Sequence, residues 1–215
     1  MMKILLKILV APFVLALSLL AVLVVFLFDI CAFLLTIASV ILAVLGIGVS
    51  NTPLVRLLLD SGIRVTACDR RAREELGALA DELERAGCGL RLGPDYLKGL
   101  HEDVIFRTPG LRPDVPQIAA AVADGSVLTS EMEAFFQVCP CPIIAVTGSD
   151  GKTTTTTIIA ELLKAAGKRV WVGGNIGHPL LCEADGMLAT DYAVLELSSF
   201  QLISMHSSPN IAVVT

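Results

Sequence analysis

Hydrophobic residues are distributed along this chain in two different ways. Between Ile8 and Leu45 the sequence is almost entirely apolar, and Asp29 is its only charged residue. From about residue 40 onward, short apolar runs alternate with longer stretches of helical periodicity. Strands that alternate with helices are typical of parallel sheets with helical crossover connections. The pattern therefore predicts an apolar N-terminal segment followed by an α/β region.

The predicted strands of the α/β region are short apolar runs that end at turns. They cover Val40–Leu45, Arg64–Ala67, Val104–Phe106, Val127–Leu128, Ile143–Val146, Arg169–Val172, Ala193–Leu197 and Ile211–Val214. The predicted helices cover Thr52–Ser61, Arg73–Ala86, Val115–Ala123, Glu131–Gln137 and Thr153–Ala166. A domain boundary is placed at Cys139-Pro-Cys-Pro142, because the two prolines stop a helix before the next strand.

The N-terminal segment, residues 1–39, is predicted to be a transmembrane-type helical segment. Lys3 and Lys7 precede the uncharged run, and about twenty apolar residues span a bilayer core. A secretory signal would have a shorter apolar core, and a buried soluble helix would be less uniformly apolar. A single span with Lys3 and Lys7 inside would place the following domains outside the cell. In a hairpin that turns near Asp29, the second apolar run would have to form both a membrane helix and the strand that begins at residue 40. We therefore interpret the segment as a membrane peptide joined to unrelated α/β domains near residue 40.

The first candidate site is the glycine loop Gly46-Ile-Gly-Val-Ser-Asn51, which follows a strand and opens a helix. Free N–H groups at such a loop can face a pyrophosphate. Asn51 departs from the dinucleotide-binding fingerprint, which has glycine or alanine there, and a plain βα turn is the alternative. Asp69 ends the second strand about 20 residues on, where a nucleoside-binding acid is expected, and Arg70 and Arg71 follow it.

The second candidate site has a stronger signature. An apolar strand, Ile143–Val146, leads into the loop formed by Gly148, Ser149, Asp150, Gly151, Lys152, Thr153 and Thr154. Backbone N–H groups of such a loop cradle phosphates, the lysine reaches the β and γ oxygens, and the threonine hydroxyl suits Mg²⁺. The sequence therefore predicts a P-loop that binds ATP.

Polar residues at two later strand ends complete the predicted site. Asn175 lies among glycines after one strand, and Glu196 lies near the end of an otherwise apolar strand. A carboxylate in an apolar strand is costly unless it is paired or binds a metal. We expect Glu196 to meet the same Mg²⁺ as Thr153, and Ser198 to add a polar group beside it.

Composition excludes several other classes of protein. The net charge is −5, and the sequence has no cluster of basic residues of the kind that nucleic-acid binding needs. The composition therefore does not indicate a nucleic-acid partner. The six cysteines have no C-x-x-C spacing, so we predict reduced thiols rather than a metal or redox site. His101, His178 and His206 have no partner pattern and are predicted to be surface residues.

Taken together, these motifs resemble the Mur ligase family, within which the D-glutamate-adding members are the most similar. The resemblance runs from about residue 40 to Thr215. The residues that carry it are Gly46–Asn51, Cys68–Arg71, Thr108–Gly110, Thr147–Thr154, Gly174–Gly177 and Glu196–Leu202.

The resemblance implies a Rossmann-like UDP-substrate domain, residues 40–138, followed by part of a central ATP-binding P-loop domain, residues 139–215. Lys152 and Glu196 would be catalytic, and Thr153 and Glu196 would hold Mg²⁺. The residues implied to contact the UDP substrate are Val49, Ser50, Asp69, Arg70, Arg71, Gly110, Asn175 and Ser198.

The implied reaction is the ATP-dependent addition of D-glutamate to UDP-N-acetylmuramoyl-L-alanine through an acyl phosphate, in peptidoglycan synthesis. The family's metal-binding histidine, modified lysine and C-terminal domain would follow Thr215, so the 215-residue chain is expected to be truncated and inactive alone. Asp150 departs from the asparagine that is commoner in this family. The alternatives are an L-alanine-adding relative and a membrane-tethered nucleotide-binding module without catalysis. The expected location is the cytoplasm, tethered to the inner face of the membrane if residues 1–39 contact it.

Overall fold

The computed structural model describes residues 17–30, 40–48, 51–176 and 178–215. The chain divides into two compact units, Met1–Val40 and Ile41–Thr215. Both candidate sites predicted from the sequence lie in the second unit.

In the first unit, residues 17–30 form a helix, α1, whose side chains are exposed. The rest of the predicted membrane segment, residues 1–16 and 31–39, lies outside the described residues. In the part of the chain that the structure describes, no helix combines the length and the apolar character needed to cross a bilayer.

The second unit begins with a five-stranded parallel sheet in the order β3-β2-β1-β4-β5. Its strands are β1 (Ile41–Leu45), β2 (Arg64–Asp69), β3 (Gly89–Leu92), β4 (Val104–Arg107) and β5 (Val127–Thr129). Its helices are α2 (Asn51–Asp60), α3 (Arg73–Leu76), α4 (Ala78–Arg85) and α5 (Pro116–Ala123). The strand order reverses between β1 and β4, and in open parallel sheets ligands bind at such switch points. The first glycine loop follows β1 and so lies at that point.

A second sheet of four parallel strands follows, in the order β7-β8-β6-β9. Its strands are β6 (Ile143–Thr147), β7 (Val170–Gly174), β8 (Tyr192–Glu196) and β9 (Ile211–Val214). The helices of this part are α6 (Glu131–Val138), α7 (Lys152–Ala165) and α8 (Ser199–Leu202), with a 3₁₀ helix over Leu181–Gly186. The prediction of an α/β fold with parallel sheets is confirmed.

Each sheet has its own apolar core. In the first, Ala43, Leu45 and Ile105 pack against Ile118 of α5. In the second, Met132 and Phe135 of α6 pack with the buried residues of β6 and β8. Helix α6 therefore contributes to the second core, although the predicted boundary at residue 139 assigns it to the first domain.

The structure adds a 3₁₀ helix over Leu181–Gly186 that the sequence does not predict, and it differs from the predicted α-helices and strands mainly in three places. The single helix predicted over Arg73–Ala86 is wrong, because Gly77 has a φ of 54° and separates α3 from α4. Strand β3 was not predicted, since its short sequence Gly89–Leu92 includes a glycine and is only partly buried. Helix α8 was missed because its four residues are too few to show a helical period.

Candidate functional site

Glu196 occupies the centre of the candidate site in the second sheet. It is the last residue of β8, and its side chain is almost completely buried, with 2% exposure. The strand register pairs Glu196 with Val146 of β6 on one side and with Gly174 of β7 on the other. The loops that follow β6 and β7 therefore begin beside this carboxylate.

Both neighbouring loops donate hydrogen bonds to the Glu196 carboxylate. The Thr153 hydroxyl, in the first turn of α7, donates to Oε2 at 2.6 Å. The Asn175 amide donates to Oε1 at 2.8 Å. Thus three polar residues predicted from separate motifs are in direct contact.

The turn after β7 brings Asn175 against β8. Its backbone N–H donates to the Glu196 carbonyl at 2.7 Å. Gly174 has a φ of 93°, and a Cβ there would lie 2.2 Å from the Glu196 carbonyl oxygen. Only glycine allows this approach, so Gly174 is required for the contact between Asn175 and Glu196.

The predicted P-loop residues Gly148, Ser149, Asp150 and Gly151 connect the end of β6 to α7. Lys152 turns back onto this loop: its ammonium donates to the Gly148 carbonyl at 2.8 Å and to the Ser149 carbonyl at 3.2 Å. Thr154 is exposed at the helix start. In this arrangement the lysine closes the loop instead of pointing away from it.

In the first sheet, Asp69 and Arg71 form a compact cluster with the glycine loop. The buried Asp69 carboxylate accepts from the Ile47 N–H at 2.7 Å and from the Arg71 N–H at 2.9 Å. The Arg71 guanidinium donates to both Asp69 oxygens, at 3.0 and 2.9 Å. Asp69 thereby fixes the first glycine loop against the end of β2.

The pKa values of this pair follow from these contacts. Burial opposes ionisation of Asp69, but the hydrogen bonds from the Arg71 side chain and from the N–H groups of Arg71 and Ile47 outweigh it, so the pKa of Asp69 is lowered. The same hydrogen bond raises the pKa of Arg71. Both groups are therefore held in their charged forms.

The other residues predicted to contact the UDP substrate are arranged differently. Arg70 and Gly110 are exposed. Val49 and Ser50 lie outside the described residues. Ser198 caps α8: its hydroxyl accepts the Gln201 N–H at 3.3 Å and donates to the Gln201 side-chain oxygen at 3.0 Å. Ser198 thus serves the local helix as well as standing two residues after Glu196.

Sequence reasoning missed the structural role of Asn51. Its side-chain amide donates to the Leu45 carbonyl at 3.1 Å and to the Gly46 carbonyl at 2.9 Å. It is 3% exposed and ties the start of α2 to the end of β1. The departure from the dinucleotide fingerprint was the available signal, because a buried amide must find hydrogen-bond partners.

The Glu196 carboxylate is not paired with a cationic side chain among the described residues. Among the described residues, none of the salt bridges includes Glu196, and its recorded side-chain donors are neutral. No group of three or more His, Cys, Asp or Glu side chains suited to a metal occurs in the described ranges. One carboxylate and one hydroxyl fit the ligation of Mg²⁺, which uses one or two carboxylates together with phosphates and water.

In the described part of the chain, no recorded side-chain hydrogen bond joins a histidine or a cysteine to Glu196, Asp69 or Arg71. His101, His178 and His206 are exposed, as predicted. In the described part of the chain, five cysteines are free thiols: Cys68, Cys88, Cys139, Cys141 and Cys182.

Comparison with known proteins identifies relatives of this arrangement. Residues 146–215 match the Mur ligase middle domain. The UDP-N-acetylmuramoylalanine--D-glutamate ligase of Ruminiclostridium cellulolyticum is 52% identical over 174 residues, which is 80% of this chain and 37% of that protein. The enzyme of the same name from Clostridium botulinum strain Okra is 51% identical, covering 80% of this chain and 38% of that protein.

Among solved structures, a UDP-N-acetylmuramate-alanine ligase from Thermotoga maritima is similar with a TM-score of 0.42 and 23% identity, covering 80% of this chain and 40% of that one. The chain spans little more than a third of the length of its curated relatives, at 37% and 38%. The sequence identity over 80% of this chain and the middle-domain match over residues 146–215 together show that this chain is similar to the Mur ligase family.

Proposed function

We propose that this chain is the substrate- and ATP-binding portion of a ligase that adds D-glutamate to UDP-N-acetylmuramoyl-L-alanine. The observation that carries the proposal is the contact of Thr153 and Asn175 with the buried Glu196 carboxylate. The sequence identity of 52% and 51% with two D-glutamate ligases supports D-glutamate as the amino acid that is added.

In this proposal the first sheet, within residues 40–138, holds the UDP part of the substrate. Asp69 and Arg71 face the nucleoside, with Arg70 and Gly110 beside it, and Val49 and Ser50 approach the phosphates. The fixed carboxylate of Asp69 supports this role, because it is held rigid by backbone N–H groups at the switch point of the sheet.

The second sheet, within residues 139–215, binds ATP through Gly148, Ser149, Asp150, Gly151 and Thr154. Lys152 would leave the loop carbonyls and contact the phosphates, which are stronger acceptors. Thr153 and Glu196 would hold Mg²⁺, which when bound neutralises the charge of the transferring phosphoryl group. Asn175 and Ser198 orient the muramoyl end of the substrate.

The proposed reaction transfers the γ-phosphoryl group of ATP to the L-alanine carboxylate, which gives an acyl phosphate and ADP. The amine of D-glutamate then attacks the acyl carbon, the bond to phosphate breaks, and an amide forms. The contribution of this chain is positioning and charge neutralisation around the two phosphate-bearing molecules.

The test has two parts. The 215-residue chain is titrated with ATP and Mg²⁺ and with UDP-N-acetylmuramoyl-L-alanine, and we expect weak binding of both and no amide product. The chain is then extended past Thr215 with the remaining sequence of the Ruminiclostridium cellulolyticum relative and assayed for phosphate release. Release from UDP-N-acetylmuramoyl-L-alanine that requires D-glutamate supports the proposal, whereas release from UDP-N-acetylmuramate that requires L-alanine favours the L-alanine-adding alternative. Binding without any release from the extended protein would favour the non-catalytic module.

A further inference from the structure

Arg107 is a buried cation for which no carboxylate partner is found in the described part of the chain. It ends β4 in the first sheet, and it is 1% exposed. Among the described residues, Arg107 takes part in none of the salt bridges, and the acceptors recorded for it are four carbonyls and one hydroxyl. A buried guanidinium that is satisfied only by neutral groups needs a geometric reason, because desolvation of its charge is costly.

The acceptors of Arg107 come from both sheets. On the side of the first sheet, Nη1 donates to the carbonyls of Thr108, Pro109 and Leu111, at 3.2, 3.1 and 2.8 Å. These bonds fold the loop that follows β4 around the guanidinium. The loop contains Gly110, which is proposed above to approach the UDP substrate.

On the side of the second sheet, the same guanidinium holds the segment that follows β8. Nη2 donates to the Phe200 carbonyl at 3.0 Å, and both Nε and Nη2 donate to the Ser204 hydroxyl, with Nε at 3.1 Å. The sequence separations are 93 and 97 residues. The planar fork of five N–H donors allows one side chain to bind both elements at once.

A buried carboxylate holds the same segment from its other end. Glu133 of α6 is 5% exposed and accepts from the His206 N–H at 3.0 Å and from the Ser207 hydroxyl at 2.7 Å. Residues 199–207, here called the strap, are therefore fixed by a cation at the carbonyl of Phe200 and by an anion at the N–H groups of His206 and Ser207. The strap begins three residues after Glu196, so its position bears on the end of β8.

We propose that Arg107 is a positioning residue that holds the loop after β4 and the strap in one fixed relation, so that a ligand reaching from the first sheet to Glu196 meets both sites together. This inference rests on the proposed function, in which UDP-N-acetylmuramoyl-L-alanine is such a ligand. Arg107 itself contacts neither nucleotide in this scheme. A ligand with two attachment points gains affinity only while both points are held at a matching distance.

The test compares Arg107→Met with the matched control Arg112→Met in the full 215-residue chain. Arg112 lies five residues on and pairs with Asp114 in solvent, so its loss should leave the strap unchanged. In Arg107→Met we expect the affinity for UDP-N-acetylmuramoyl-L-alanine to fall about tenfold. The affinity for ATP with Mg²⁺ should stay within about twofold of wild type, because ATP uses only the second sheet. The affinity for UDP alone should fall less than that for the full substrate, because UDP has a single attachment point.

A structural readout keeps the two proposals separable. Amide hydrogen exchange should become faster in Arg107→Met both at the loop of residues 108–111 and in the strap, and at neither place in Arg112→Met. Unchanged exchange would refute the positioning role whether or not the chain binds nucleotides. Faster exchange with an equal loss of all three affinities would also overturn it. If wild type binds none of the three ligands, the proposed function fails, and the exchange pattern still decides the role of Arg107.

Two further variants cover the case in which Arg107→Met does not fold. Ser204→Ala removes an acceptor on the strap alone. It should weaken binding of the full substrate more than binding of UDP or ATP, as in Arg107→Met, but by a smaller factor. Arg107→Lys keeps the charge but not the fork, so it should resemble Arg107→Met. Full wild-type behaviour of both variants would contradict the proposal.

Discussion

The hydroxyl of Thr153 lies 2.6 Å from the carboxylate of Glu196, although 43 residues separate them in sequence. The parallel pairing of β6 with β8 creates this contact, since Val146 and Glu196 are register partners and the loop after β6 turns over the end of β8. Two residues predicted as metal ligands from unconnected motifs thus meet at one point.

The first prediction concerns this pair. Thr153→Val and Glu196→Gln should each weaken the Mg²⁺-dependent part of ATP binding by about 10–100-fold, because each removes an oxygen that would hold the ion. Calorimetric titration of ATP with and without Mg²⁺ measures that part. Thr157→Val is the control, since the Thr157 hydroxyl donates to the Thr153 carbonyl within the helix. An unchanged Mg²⁺ effect in Thr153→Val would argue against the assigned metal role.

The second prediction concerns the turn after β7. Gly174→Ala should lower the free energy of unfolding by about 2 kcal/mol or more, because the new methyl group would collide with the Glu196 carbonyl in a strained backbone conformation. Thermal unfolding followed by circular dichroism measures the change. Gly186→Ala is the control, since a Cβ there would meet its nearest neighbour, a Trp171 atom, at an ordinary 3.6 Å. Equal effects of the two substitutions would contradict the close approach.

The third prediction is a pH dependence from Asp69. Its pKa in the folded chain is lowered from the ordinary 3.8, so its stabilising effect is fully present above that pH and is lost as the pH falls through the folded value. Asp69→Asn should therefore reduce the free energy of unfolding by about 1–3 kcal/mol near neutral pH.

The difference between Asp69→Asn and wild type should shrink below pH 3.8. Urea unfolding at about pH 7 and about pH 3 checks this. Asp114→Asn, which breaks an exposed pair with Arg112, is the control and should have a much smaller effect at either pH. A difference that does not vary with pH would show that Asp69 acts by packing rather than by charge.

The fourth prediction concerns the amide that anchors the first glycine loop. Asn51→Ala should reduce the free energy of unfolding by about 1–2 kcal/mol and weaken UDP binding, because the Leu45 and Gly46 carbonyls lose their side-chain donor. Ser61→Ala removes an exposed hydroxyl that donates to the Leu57 carbonyl at the other end of α2, and it should leave UDP binding unchanged. Calorimetric titration with UDP compares the two variants. Equal UDP affinities of Asn51→Ala and Ser61→Ala would contradict the prediction.

The amino-acid sequence alone predicted the alternation of strands and helices and both glycine loops. These features depend on local chemistry: apolar runs favour strands, and glycines next to a helix start favour anion-binding turns. The strand Ile211–Val214 was predicted with its observed bounds. The helix predicted over Arg73–Ala86 was wrong because a single glycine conformation at residue 77 outweighs helical periodicity on both sides.

Contacts between distant residues were decided only by the tertiary structure. Nothing near Arg107 in sequence indicates that its guanidinium would reach Phe200 and Ser204, since that contact depends on how the loops of the two sheets meet. The same is true of Asn51, whose neighbours in space are the carbonyls at the end of β1. Local sequence determines which backbone conformations are cheap, whereas the satisfaction of a buried charge or amide depends on every group that folding brings to it.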